Sequence, residues 1–127
     1  MQVRIAPGFL KGVSPFIMRI ASLVMLKNES ERIAVTINSL LRYIDIFIIF
    51  DTGSVDNTID IVQDLCQKHT KEFHLKLGNF VDFAVSRNAA LDFAQTVPNW
   101  DYLLLVDAND ELSAATLLRT AWGRRQR

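Results

Sequence analysis

The sequence contains two clusters of oxygen-bearing side chains, each directly after a run of apolar residues. Asp51 follows the apolar run 46–50. Residues 107–111, which read Asp-Ala-Asn-Asp-Glu, follow the apolar run 102–106. The Asp51 carboxylate can accept hydrogen bonds from a sugar or a base. The second cluster offers the oxygen ligands that Mg²⁺ and Mn²⁺ prefer, and a metal there would bridge a diphosphate and stabilise a departing phosphate. As an alternative, it is an acidic turn that caps a helix.

Both apolar runs are typical of strands that are buried on both faces, as in a sheet covered by helices. After Asp51, Gly53 allows a tight turn, and the apolar spacing over 55–68 predicts a helix. Asp51 is therefore expected at the carboxyl end of a buried strand, beside the start of a helix. Open α/β sheets bind ligands at this place, where the helix also offers backbone N–H groups to an anion.

The remaining segments continue the alternation of strands and helices. Strands are predicted at 21–26, 46–50, 73–77 and 102–106, and helices at 33–44, 55–68 and 80–94. This order indicates an α/β fold with a mainly parallel sheet and helices on both faces. If the strands that end in Asp51 and Asp107 are neighbours, their carboxylates face one crevice.

Two details of the predicted helices concern individual side chains. Asn28 or Ser30 is predicted to cap the first helix. In the last helix, Phe80 and Phe83 are placed on a broad apolar face, and Arg87 is the one charge among these apolar neighbours.

The length, composition and net charge limit the classes of protein to which the chain can belong. Its 127 residues are half hydrophobic and carry no net formal charge, so one folded soluble domain is expected, without a global indication of nucleic acid or anionic membrane as partner. The single cysteine, Cys66, excludes an intramolecular disulfide and a cysteine-built zinc site, and it is predicted to be an inert core residue. No run is long enough for a membrane span, and 1–20 lacks the apolar core of a secretory signal. We therefore expect a loose arm at 1–20 and a cytoplasmic location.

Four short motifs resemble, in their order, those of the family 2 glycosyltransferases, which have the GT-A fold. They are Lys27-Asn28-Glu29, Asp51-Thr52-Gly53-Ser54-Val55-Asp56-Asn57-Thr58, Asp82-Phe83-Ala84 with Arg87-Asn88, and Asp107-Ala108-Asn109. Each motif alone is weak, but the four in order, each on the expected element, are specific. The resemblance implies a Rossmann-like nucleotide-diphospho-sugar transferase fold, of which this chain would be the amino-terminal, donor-binding half. The implied domain covers 21–112, and a basic tail covers 113–127.

Proteins of this family transfer a sugar from a nucleotide-sugar, usually a UDP-sugar, to an acceptor. By resemblance, Asp51 would contact the uracil or ribose, and Arg87 would contact the nucleotide. The implied nucleotide-sugar-binding residues are Lys27, Asn28, Glu29, Asp51, Ser54, Arg87 and Asp107. Asp107 and Asn109 would hold Mn²⁺ or Mg²⁺. Asn109 departs from the Asp-x-Asp pattern, and because an amide oxygen carries no charge, weaker metal affinity is expected unless Asp110 compensates.

In the family, the part beyond the Asp-x-Asp turn supplies the acceptor site and the Asp or Glu general base of inverting enzymes. The base is needed because the attacking hydroxyl must lose its proton. Only 112–127 follow here, and they contain no Asp or Glu. The catalytic base is therefore expected beyond this chain, with weak nucleotide binding and little or no sugar transfer to a glycan, protein or lipid acceptor. An uncovered edge or apolar patch would also favour self-association.

Two other classes of protein fit part of the pattern. Residues 50–54, Phe-Asp-Thr-Gly-Ser, resemble the active-site signature of aspartic proteases, and a short chain with one signature could dimerise as retroviral proteases do. That signature lies in β-rich chains, whereas a helix-period segment follows it here. A non-enzymatic α/β interaction module is the second alternative, and it would be indifferent to UDP and Mn²⁺.

Overall fold

The computed structural model describes residues 19–107 and 121–124. The strands are β1 (Ile20–Leu26), β2 (Ile46–Asp51), β3 (Glu72–Leu77), β4 (Tyr102–Asp107) and β5 (Ala121–Arg124). The helices are α1 (Ile33–Leu40), α2 (Thr58–Lys68) and α3 (Phe83–Thr96). The predicted alternation of four strands and three helices is confirmed. The strand β5 was not predicted from the sequence pattern.

The sheet has the strand order β3-β2-β1-β4-β5, in which the first four strands are parallel and β5 is antiparallel to β4. The strands that end in Asp51 and Asp107 are therefore not neighbours, because β1 lies between them. Asp51 is in register with Leu26, and Asp107 with Met25. Both strand ends lie at the same edge of the sheet, two strand spacings or roughly 10 Å apart.

Helices cover both faces of the sheet, as predicted. On one face, α1 and α2 enclose a buried cluster that includes Val24, Ile37, Phe47, Ile49, Val62 and Cys66. On the other face, α3 encloses a second cluster that includes Leu23, Ile48, Phe50, Ala90, Ala94 and Trp100. All six residues of β2 are buried, which confirms the prediction from its continuous apolar run.

Cys66 lies in the first cluster with 1% of its surface exposed, so the prediction of a core cysteine is confirmed. Burial raises the pKa of its thiol to about 12. The thiol therefore stays protonated at neutral pH, and it is a poor nucleophile there because the thiolate is the reactive form.

The prediction that the third helix begins at residue 80 is wrong by three residues. Asp82 is its N-cap, and the Asp82 side chain accepts a hydrogen bond of 2.8 Å from the backbone N–H of Val85. Phe80 therefore precedes the helix, and the phase of the helix turns Phe83 towards solvent, so neither side chain joins the core. The buried positions of α3 are Ser86, Ala90 and Ala94.

Gly78 follows β3 and packs directly against the ring of Phe50. A methyl group at this position would overlap the end of the ring and approach its Cε1 atom to 3.0 Å, and Phe50 is only 2% exposed. We expect Gly78→Ala to lower the free energy of unfolding by about 1–3 kcal/mol, because the buried ring has little space to shift. Thermal unfolding followed by circular dichroism measures this loss. The exposed neighbour variant Asn79→Ala is the control, and an equal melting temperature for Gly78→Ala and wild type would contradict the prediction.

Candidate functional site

Asp51 ends β2 with a carboxylate that is only 1% exposed. Its Oδ1 atom accepts hydrogen bonds from the backbone N–H groups of Gly53 (2.9 Å) and Ser54 (2.7 Å). Gly53 has a φ of 120°, a conformation that glycine adopts readily and that lets the chain turn back over the carboxylate. The Oδ2 atom is buried and accepts no hydrogen bond from the described residues. Leaving a buried carboxylate oxygen without a donor costs free energy, so this atom is suited to an N–H or O–H group of a ligand.

The turn after β1 is hydrogen-bonded to the loop after β2. The backbone N–H of Asn28 donates to Ser54 Oγ at 2.8 Å, and the backbone N–H of Val55 donates to Asn28 Oδ1 at 2.8 Å. Closer to the sheet, the backbone N–H and the hydroxyl of Thr52 both donate to the carbonyl of Leu26, at 2.9 and 3.0 Å. The two loops therefore form one hydrogen-bonded unit at the carboxyl edge of the sheet.

A second set of contacts extends this unit to the start of α2. The backbone N–H of Glu29 donates to Thr58 Oγ1 at 2.9 Å, and that of Ser30 donates to Asp56 Oδ2 at 3.4 Å. Asp56 Oδ1 accepts from both the backbone N–H and the hydroxyl of Thr58. The hydrogen bond from the Thr58 side chain is the main reason that the pKa of Asp56 is lowered. Asp56 is therefore ionised and holds both loops at neutral pH.

The predicted cap of the first helix by Asn28 or Ser30 is wrong. The N-cap of α1 is Arg32, which makes no side-chain cap hydrogen bond. The side-chain Oδ1 atom of Asn28 instead accepts a hydrogen bond from the backbone N–H of Val55, and the backbone N–H of Ser30 donates to Asp56. Contacts between residues 26 or 27 positions apart thus replace the local cap that the pattern suggested.

The structure brings together five of the predicted binding residues, namely Lys27, Asn28, Glu29, Asp51 and Ser54. Lys27 is exposed at the start of the turn. Arg87 is also exposed, but it lies on α3, which covers the other face of the sheet from α1 and α2. Within the described part of the chain, neither cation forms a salt bridge.

Asp107 ends β4, as predicted, at the same edge of the sheet as Asp51. Asn109, the other predicted metal ligand, and its neighbour Asp110 lie outside the described residues. Residues 19–107 and 121–124 contain no group of three His, Cys, Asp or Glu side chains that could hold a metal ion. The metal site at Asp107 and Asn109 stays a prediction.

An exposed apolar surface adjoins the end of β2. The sequence predicted an uncovered edge or apolar patch, but not the residues that form it. Its members are Leu77, Phe80, Val81, Phe83 and Val85, which are 48–68% exposed. The surface is held near Asp51 because the backbone N–H of Gly78 donates to the Asp51 carbonyl at 2.8 Å. The alternation of 73–77 and the apolar spacing of 80–94 both suggested burial, so no local signal separated this surface from the core.

The order of the strands identifies the class of fold. The chain runs from β1 outward to β2 and β3, and then crosses to the other side of β1 to form β4, so the topological switch lies between β1 and β4. Open α/β sheets bind nucleotides in the crevice at such a switch, outside the carboxyl ends of the strands. The protein therefore has the architecture of a nucleotide-binding α/β domain. The chain belongs to the glycosyl transferase family 2, whose model matches residues 23–121.

Curated relatives and solved structures agree with this membership. An uncharacterized glycosyltransferase of Rickettsia felis is 30% identical over 95 residues, which are 75% of this chain and 30% of the relative. The crystal structure of S. aureus TarS 1–349 in complex with UDP-GlcNAc has a TM-score of 0.62 and 22% identity, covering 79% of this chain and 29% of TarS. Glucosyl-3-phosphoglycerate synthase from Mycobacterium tuberculosis, in complex with Mn²⁺, UDP and glucosyl-3-phosphoglycerate, has a TM-score of 0.50 and 18% identity. The match covers 72% of this chain and 33% of the synthase.

These matches confirm the predicted family and its GT-A, Rossmann-like fold. The chain spans about a third of the length of the relatives and structures that it matches. The aspartic protease alternative is not favoured, because Asp51 ends a parallel strand and is followed by α2. Across the described residues, no helix has the length and apolar character needed to cross a membrane.

Proposed function

We propose that this chain forms the donor-nucleotide site of a glycosyltransferase that transfers a sugar from a UDP-sugar to a glycan, protein or lipid acceptor. The observation that carries the proposal is the buried Oδ2 atom of Asp51, which has no donor among the described residues. The ring N–H of uracil and the hydroxyls of ribose are donors of the kind that this oxygen needs. The UDP-GlcNAc bound by S. aureus TarS supports this class of donor.

One UDP molecule can reach both ends of the proposed site. The base and the diphosphate lie on opposite sides of the ribose, and the ends of β2 and β4 are separated by roughly 10 Å. We place the base or ribose at Asp51 and the diphosphate at Asp107, with the turn after β1 between them. The residues proposed to form this site are Lys27, Asn28, Glu29, Asp51, Ser54, Arg87 and Asp107.

The residues at the end of β4 suit a hard divalent cation. A carboxylate from Asp107 and an amide oxygen from Asn109 are the oxygen ligands that Mn²⁺ and Mg²⁺ accept, usually together with substrate phosphates. When bound, such an ion would stabilise the negative charge on the leaving diphosphate. The Mn²⁺ in the M. tuberculosis synthase supports this assignment. The position of Asp107 at the same sheet edge as Asp51 agrees with it.

No residue of this chain is proposed as the general base. The acceptor hydroxyl must lose a proton during transfer, and two of the described acids at the crevice already have other tasks. Asp51 accepts hydrogen bonds through Oδ1, and Asp56 joins the two loops. Slow or absent sugar transfer by the 127-residue chain therefore stays a prediction. The cytoplasmic location, the self-association and the domain limits at 20 and 112 stay predictions as well.

Thermal unfolding with UDP, with and without Mn²⁺, tests the proposed site in wild type and in Asp107→Ala. At a hundred times its dissociation constant, UDP with Mn²⁺ is expected to stabilise the wild type by about 2.7 kcal/mol and to raise its melting temperature by several degrees. Asp107→Ala is expected to lose the part of the rise that depends on Mn²⁺, because the metal loses its charged ligand.

The exposed acid of α2 provides the matched control Asp64→Ala, which should behave as wild type. An unchanged Mn²⁺ response in Asp107→Ala would place the metal elsewhere. A protein that melts cooperatively but shows no shift with UDP would refute the donor site and favour the interaction-module alternative.

A further inference from the structure

Ser54 connects the Asp51 carboxylate to the turn after β1. Its backbone N–H donates to Asp51 Oδ1 at 2.7 Å, while its Oγ atom accepts the backbone N–H of Asn28 at 2.8 Å. Any shift of Ser54 therefore removes or bends one of the two bonds that orient the carboxylate. The direction of the Oδ2 atom then changes as well, because both oxygens belong to one planar carboxylate group.

Asn28 holds the same loop from the other side. Its Oδ1 atom accepts the backbone N–H of Val55 at 2.8 Å, so Asn28 gives one hydrogen bond to the loop and receives one from it. Asn28 has a φ of 51°, in the left-handed region that glycine and asparagine tolerate best. Glycine would meet this backbone requirement, but only asparagine also supplies an acceptor for Val55.

Packing contributes little to the position of the loop tip. Val55 is 91% exposed and Asn28 is exposed, and neither belongs to a buried cluster. The reciprocal hydrogen bonds between Asn28 and residues 54–55, which we name the loop clamp, therefore restrain this tip directly.

We propose that Asn28 and Ser54 are positioning residues, which orient the Asp51 carboxylate through the loop clamp and do not themselves contact the nucleotide. The inference deepens the proposed function and rests on it for its effect on UDP binding. It changes the role implied for these two residues by the family resemblance, from nucleotide contact to support of Asp51.

Calorimetric titration of the full chain with UDP tests the loop clamp in Asn28→Gly, Ser54→Ala and the double variant. Asn28→Gly is preferred to alanine because it keeps the left-handed backbone without strain. Each single variant is expected to raise the Kd for UDP about five- to tenfold, the effect of one hydrogen bond. The double variant is expected to raise it no further, because both substitutions open the same clamp. Ser54→Thr keeps the hydroxyl and should bind as wild type.

Two outcomes of the titration would overturn the inference. If the effects of the two substitutions multiply, the Kd of the double variant for UDP rises about 25-fold or more. This result would mean that each side chain contacts the nucleotide independently. Unchanged Kd values, even with a lower melting temperature, would mean that the clamp stabilises the fold without orienting Asp51.

Amide hydrogen exchange by NMR, without UDP, separates this inference from the proposed function. In Asn28→Gly, the amides of Gly53 and Ser54 are expected to exchange about five- to tenfold faster, because their bonds to Asp51 loosen. Faster exchange in a protein that binds no UDP would support the clamp and refute the proposed function. Unchanged exchange in a protein that does bind UDP would refute the clamp alone.

Discussion

Asp51→Asn is expected to weaken the binding of UDP by roughly 30-fold, about 2 kcal/mol, while the fold is retained. The amide can keep an oxygen towards the N–H groups of Gly53 and Ser54, which donate to Oδ1. Its NH₂ group then replaces Oδ2 and meets the donor group of the ligand. If the amide is rotated by about 180°, its NH₂ group faces the two backbone N–H donors. Neither orientation therefore satisfies both the backbone and the ligand. Calorimetric titration with UDP measures the effect.

Asp64→Asn makes the same chemical change at an exposed position of α2 and should leave both UDP affinity and stability unchanged. Equal UDP affinity for Asp51→Asn and wild type would show that Oδ2 does not accept a hydrogen bond from the nucleotide. The proposed site would then lose the observation on which it is based.

Trp100→Ala is expected to lower the free energy of unfolding by about 3–5 kcal/mol. The Trp100 side chain is fully buried in the cluster beneath α3, and its ring N–H donates to the carbonyl of Ala94 at 3.0 Å. The variant loses this packing and leaves a cavity beside the last turn of the helix. Small domains are stable by only about 5–15 kcal/mol, so a large fraction of the protein is expected to unfold at moderate temperature. Urea unfolding followed by circular dichroism measures the loss.

Phe80→Ala provides the matched control, because it also removes an aromatic ring, but one that is 52% exposed. Its effect should stay within about 0.5 kcal/mol. A loss below about 1 kcal/mol for Trp100→Ala would contradict the packing of α3 over this face of the sheet.

The parts of the fold that could be predicted from the sequence depend on local patterns. The continuous apolar run of β2 predicted a strand buried on both faces, and the acid that follows it predicted a ligand at its carboxyl end. Asp51 occupies that place, with an unsatisfied oxygen. The order of the four motifs indicated the family, which no single motif specified.

The errors arose at a distant contact, at a helix start and in the order of the strands. Asn28 fitted a helix cap, but its side chain bonds to a loop 27 residues away, and a local pattern contains no information about that partner. The spacing of Phe80 and Phe83 fitted an apolar helix face, but the cap at Asp82 fixed a later start and turned both rings outward. The position of β1 between β2 and β4 was equally inaccessible, since strand order is a property of the assembled sheet.

The central place of β1 has a consequence for the order of events on the ribosome. β1 is made first, but one of its edges pairs with β4, and the contact from the backbone of Arg19 to Asp101 spans 82 residues. At translation rates of roughly 5–20 residues per second, β4 follows β1 by about 4–16 s. During this interval the nascent chain can pair β1 with β2 and β2 with β3, while the other edge of β1 is open to chaperones and to neighbouring nascent chains. Slowing translation between residues 78 and 100 would lengthen this exposure, whereas rapid synthesis of α3 and β4 would favour productive folding.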